Sequence, residues 1–154
     1  MEDDVWVEGK INNRRITVVS ARLSGSGSDT SITVNNNLEY TNFDGKDAIG
    51  LIAQKDVNAG LKSQDYLKIH AALVAKNGRV GRFYYKSQCG EYKRNSLTLF
   101  GAITTNKRYG FAYSDNTGYL LRTITYDANL LYGPPPSWPL TADQYTTLLW
   151  TEVY

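Results

Sequence analysis

One cysteine, one histidine and one methionine are all that this 154-residue chain holds of those three residue types. With Cys89 alone, no intrachain disulfide can form. It sits in the loop-like run Ser87-Gln88-Cys89-Gly90, with no basic or acidic partner evident beside it, and reads as an inert thiol. One imidazole and one thiol make no zinc set, and a Ser-His-Asp or Cys-His nucleophile would have to use His70. His70 lies between Ile69 and Ala71 in a strand-like run, where an outward, solvated ring is expected. No catalytic residue, cofactor-binding residue or metal ligand is therefore assigned, no cofactor is expected, and the chain does not read as an enzyme.

Charge and long apolar runs are also missing. Seventeen Lys and Arg against 15 Asp and Glu leave a formal charge of +2, which argues against a nucleic-acid partner. No transmembrane stretch is present, and Met1-Glu2-Asp3-Asp4 is acidic where a secretory signal would be basic, so no membrane contact by this chain is expected. All four prolines fall in Pro134-Pro135-Pro136-Ser137-Trp138-Pro139.

What the chain does have is tyrosine, 12 of them, and a degenerate strand-corner-strand pattern. Copies begin at Val5-Trp6-Val7, Ile49-Gly50-Leu51-Ile52, Ile69-His70-Ala71-Ala72-Leu73-Val74 and Leu99-Phe100-Gly101-Ala102-Ile103, each followed by an Asn, Lys, Arg or Asp corner. A unit too short to bury its own apolar face must stack on its neighbours. With Ile52, Val74 and Ile103 as inward anchors, the spacing predicts an all-β fold, a right-handed parallel β-helix (β-solenoid) of about five to six coils. An antiparallel β-sandwich is the alternative, because Asn77-Gly78 and Asp44-Gly45 are hairpin signals.

Strands are expected at 5–8, 15–21, 31–34, 38–40, 49–53, 67–69, 72–75, 97–100, 109–113, 122–126 and 148–153. Ser24-Gly25-Ser26-Gly27-Ser28 reads as a flexible surface loop. Residues 1–126 form the expected solenoid, and 127–154 a proline-rich strap packed on it, because proline cannot donate to a growing sheet. Within the strap, Thr141-Ala142-Asp143-Gln144 fits a capping box. The chain enters a strand at Val5 with no polar cap before it, which suggests that a natural upstream segment precedes it. Self-association through the N-terminal coil is expected for the same reason.

With those residues in place, the chain resembles the soluble region of PilX-like, type IV pilus-assembly-related envelope proteins. The features that carry the likeness are Val5-Trp6-Val7-Glu8-Gly9, the run 47–60, Arg79-Val80-Gly81-Arg82-Phe83-Tyr84-Tyr85, Asn106-Lys107-Arg108-Tyr109-Gly110-Phe111-Ala112 and 126–139. The resemblance implies a solenoid-like region behind an N-terminal anchor helix, which this chain lacks, and an extracellular or cell-surface location. It implies other envelope or pilus proteins as partners, and it transfers no catalytic residues.

The carboxylates Asp44, Asp47, Asp56, Asp65 and Asp115 each sit beside a turn residue, where aspartate serves backbone hydrogen bonding. Paired-carboxylate sugar cleavage is therefore the minor alternative. The stronger candidates are Tyr84, Tyr85, Tyr109, Tyr113 and Tyr119, whose flat faces and polar tips suit a glycan or a protein. The expected function is a non-enzymatic extracellular structural or adhesion module of a pilus-like or membrane-anchored envelope protein. The alternative is a carbohydrate-binding or carbohydrate-cleaving β-helix.

Overall fold

The structure is a computed structural model and describes residues 1–23 and 27–138. The capping box at 141–144, the strand expected at 148–153 and most of the loop at 24–28 lie outside the described residues. Eleven strands are seen among the described residues, with two short 3-10 turns and no α-helix. In chain order they are β1 (Val5–Trp6), β2 (Gly9–Ile11), β3 (Arg15–Ser20), β4 (Ile32–Val34), β5 (Leu38–Tyr40) and β6 (Ala48–Ala53). β7 (Val57–Ala59), β8 (Tyr66–Ala75), β9 (Val80–Arg82), β10 (Lys93–Thr105) and β11 (Gly118–Tyr126) complete the set.

The strands sort into two sheets. One has four strands in the order β1-β4-β7-β9, and the other has seven, ordered β11-β10-β8-β5-β2, with β3 and β6 branching from β8. Within the named strands every pairing is parallel. Parallel pairing lines up equivalent residues from successive passes of the chain. Val5, Ile32, Val57 and Val80 share one row, and Ile69, Leu99 and Ile124 another. The core fills from these rows, with Ile32, Leu51, Leu97 and Leu99 all fully buried.

A closed β-solenoid of five to six coils is not what forms, and the antiparallel sandwich is also wrong. The strands divide between separate four- and seven-stranded sheets with no closed solenoid, and strand length runs from two residues in β1 to thirteen in β10. Against the sandwich, the described residues hold one isolated antiparallel bridge, Ala112 with Gly118. The hairpin signals were misleading because Asn77-Gly78 and Asp44-Gly45 turn the chain between parallel strands. Two of the three inward anchors were out of phase, whereas Ile103 pairs with Leu73 and packs against the core. Ile52 and Val74 are register partners, but their neighbours Leu51 and Leu73 carry the core, at 0% and 1% exposure.

Two side-chain devices hold the corners. The first is the set of aspartates. Asp47 accepts from the backbone N–H groups of Arg14, Thr41 and Asn42 at 3.0, 3.0 and 2.8 Å. Asp56 accepts from Arg79 N at 2.8 Å, and Asp65 from Asn95 N at 3.0 Å. The second is Arg82, fully buried, which donates to the Gly60, Leu61 and Glu91 carbonyls and to Ser63 Oγ. Its guanidinium lies 4.9 Å from the Tyr85 ring centre and 5.7 Å from that of Tyr119. Burial depresses the Arg82 pKa below its ordinary value. Beyond β11 the proline segment lies across β3 and β6. Arg15 donates to the Pro134 carbonyl at 2.7 Å, Thr17 donates to that of Pro136, and Pro135 and Trp138 lie against Gly50.

Candidate functional site

The tyrosine-rich part of the chain is built on a close approach of two glycines. After β10, Gly110 bridges Gly81 of β9, its N–H donating to Val80 O at 3.1 Å and its carbonyl accepting from Arg82 N at 2.9 Å. A Cβ on Gly81 would run into the Gly110 carbonyl, so the approach requires glycine there. The chain then turns at 113–117, with Asn116 at φ +60° and Asp115 accepting from Thr117 N and Oγ1 at 3.1 and 2.7 Å. It returns through the Ala112–Gly118 bridge into β11, where Tyr119 N donates to Phe111 O at 2.8 Å.

This turn gathers a polar aromatic web. Tyr113 accepts from Arg79 Nη2 at 2.9 Å and donates to Arg82 O at 2.8 Å. The Tyr84 ring meets Tyr113 edge-on at 5.1 Å, and its hydroxyl donates to Asp115 at 2.9 Å. That bond raises the Tyr84 pKa, while the Thr117 hydroxyl beside Asp115 lowers the carboxyl's. Both groups thus stay in their ordinary neutral and ionised forms across the physiological range.

β11 supplies the other wall. It is bonded on one side to β10, and its row positions continue the core: Arg122 stands beside Leu97, Ile124 beside Leu99 and Tyr126 beside Gly101. Leu97 and Leu99 are fully buried, whereas Ile124 is 44% and Tyr126 54% exposed, so among the described residues nothing covers the last row. The result is a run of concavities that share Tyr109, itself 51% exposed. The largest, about 520 Å³, lies between Arg108, Phe111, Arg122 and Ile124. A second of about 470 Å³ extends toward Ile103 and Tyr126, and a third of about 420 Å³ toward Arg79 and Tyr113.

Of the five tyrosines named from sequence, three meet here. Tyr109 lines the groove, Tyr113 closes one end, and Tyr84 stacks behind Tyr113. Tyr119 is fully buried and cannot touch a partner; its hydroxyl donates to Gln64 O and accepts from the Ser63 hydroxyl, both at 2.8 Å, and burial raises its pKa. Tyr85 is half-buried against Arg82, and burial likewise raises its pKa. The two belong to the Arg82 staple. Sequence reasoning missed Arg79, Arg108 and Arg122, although Arg108 lies directly before Tyr109 in the corner Asn106-Lys107-Arg108-Tyr109.

The other chemical candidates are spent on structure. Asp44 pairs with Lys46 at 2.8 Å, and Asp47, Asp56, Asp65 and Asp115 each accept bonds at their own corner. Among the described residues, no group of three or more His, Cys, Asp or Glu side chains is placed to hold a metal ion. His70 is not the solvated strand residue expected, since it is 7% exposed in a cluster with Tyr40, Phe43 and Phe100, its ring centre 5.2 to 6.1 Å from theirs. Its Nδ1 accepts from Tyr40 N at 3.1 Å, and burial lowers its pKa. Cys89 is exposed. No helix among the described residues is long and apolar enough to cross a membrane.

No family model, curated protein or solved structure matches the chain.

Proposed function

We propose that the chain is a non-enzymatic adhesion module of a cell-envelope protein, displayed outside the cell, whose working surface is the Arg108–Tyr109–Arg122 groove. The observation that carries this is the groove's lining: accessible tyrosine and arginine around a concavity, with no carboxylate in its walls among the described residues. Surface aromatics with a polar tip are suited to contact with sugars and proteins. Bond cleavage at a glycosidic centre needs two carboxyl groups facing one gap, and each of the five candidate aspartates instead accepts from backbone N–H groups at a corner, Asp44 and Asp47 at the one between β5 and β6. The envelope setting draws on the resemblance to pilus-related proteins.

A glycan array combined with a reducing-end assay tests this reading. Retention on a subset of immobilised glycans, lost in Tyr109→Ala and without release of reducing ends, is expected. Release of reducing ends, or no retention on any glycan, would contradict it.

A further inference from the structure

We infer that the groove recognises an acidic polysaccharide, a chain of uronate-like sugars whose ring lies on Tyr109 and whose carboxylates are held by Arg108 and Arg122. This rests on the adhesion reading above and names its ligand class.

The charge pattern is the first support. The chain has nearly balanced charge, 17 basic against 15 acidic residues. Yet the three connected concavities are lined by Arg79, Arg108 and Arg122 and by no Asp or Glu among the described residues. Those guanidiniums also lack a carboxylate partner among the described residues, where the ion pairs are Lys46–Asp44, Lys68–Glu39 and Arg94–Glu91. The lining of the groove is therefore basic, with three arginines and no carboxylate among the described residues.

Geometry is the second support. Arg122 is held by Nη1, which donates to the Tyr119 and Leu120 carbonyls at 2.5 and 2.9 Å, and its Nη2 and Nε make no hydrogen bond among the described residues. Arg79 is held in the same way by Arg82 O and the Tyr113 hydroxyl, at 3.0 and 2.9 Å. Arg108 is exposed and makes no hydrogen bond among the described residues. Two pinned forks and one free one suit carboxylates, which arginine binds in bidentate fashion. Tyr109, half-exposed, lines the same concavity as Arg108 and Arg122 and offers an apolar face to a sugar ring. Nucleic acid fits less well, because its affinity rests mainly on neutralising many phosphates and the net charge is only +2, whereas a sugar ring adds contact with the Tyr109 face.

The test is calorimetric titration of the full chain with hexagalacturonate, its fully methyl-esterified form, polyglutamate and a single-stranded oligonucleotide of matched charge. Hexagalacturonate should bind, and the neutral ester should bind at least about tenfold more weakly, since a charge-assisted hydrogen bond is worth about 1.5–3 kcal/mol. Arg108→Gln, at an exposed side chain with no bond to lose, should cost about tenfold, while Lys76→Gln on a remote corner should cost nothing. Equal binding of the ester, of polyglutamate or of the oligonucleotide would overturn the proposal, as would unchanged affinity in Arg108→Gln. Retention of neutral glycans alone on the array would overturn the acidic ligand class and leave the adhesion reading intact; no glycan bound at all would retire both.

Discussion

Arg82 is the residue on which the corners beneath the groove depend. It is fully buried with no carboxylate partner, its charge spread over three backbone carbonyls, one hydroxyl and two tyrosine rings. Replacing it by methionine would leave the Gly60, Leu61 and Glu91 carbonyls without that donor. Gly60 O keeps Ser63 N and Leu61 O keeps Arg94 Nη2 as donors, so at about 1–3 kcal/mol for the Glu91 carbonyl left unpaired, Arg82→Met should lower unfolding free energy by about 2 kcal/mol in a urea titration. A loss below about 1 kcal/mol would mean that water serves that carbonyl. His70 gives a second residue-scale outcome. Its pKa is lowered by burial among Tyr40, Phe43 and Phe100, with Glu39 opposing and Lys68 and Lys10 adding to the shift. The fold therefore favours the neutral ring, and its stabilising share is present above the unfolded value of about 6.5 and is lost as pH falls through the lower folded value. Between about pH 7.5 and 5, the melting temperature of the natural chain should fall further than that of His70→Gln. Parallel falls would show that His70 carries no such linkage. Much of this was illegible from sequence because strand alternation has two phases: Ile52 and Val74 match a buried row as well as Leu51 and Leu73 do, the row that Ile103 joins. Tyr119 likewise looked like an exposed tyrosine until the Arg82 network enclosed it.

At the scale of elements, composition found the strands better than their partners. Candidates at 15–21, 31–34, 38–40 and 49–53 overlap β3 to β6, and those at 67–69 and 72–75 fuse into the single strand β8 through His70 and Ala71. The strand expected at 109–113 is instead a loop with single bridges, because Gly110 is held by one residue of β9 and the chain turns at once. Pairing direction was written less locally: Asn-Gly and Asp-Gly corners serve parallel and antiparallel connections alike. Two element-scale outcomes follow. Gly81→Ala would push Gly110 away from β9, costing about 1–3 kcal/mol and loosening the wall that carries Tyr109. Thermal melts and ligand titration on that variant should both weaken, and a neutral result would mean that the loop gives way freely. Trp138→Ala should cost about 1–3 kcal/mol, because the indole lies against Gly50 where the proline segment crosses β6. An unchanged melting temperature would show that this crossing adds nothing to stability.

For the whole molecule, parallel pairing explains both the fold and the site. It stacks equivalent residues into rows, so the last strand repeats the core's outline while Ile124 and Tyr126 remain open to solvent. The surface most suited to a ligand is therefore where the row ends, and the arginines of neighbouring corners converge on it. The most direct measurement of this claim is a two-dimensional amide NMR titration of the full chain with hexagalacturonate. Shifts concentrated at Arg79, in residues 108–114 and along β11, with β1 to β3 unmoved, are predicted. Shifts centred on β1 to β3, or none at saturating ligand, would contradict it.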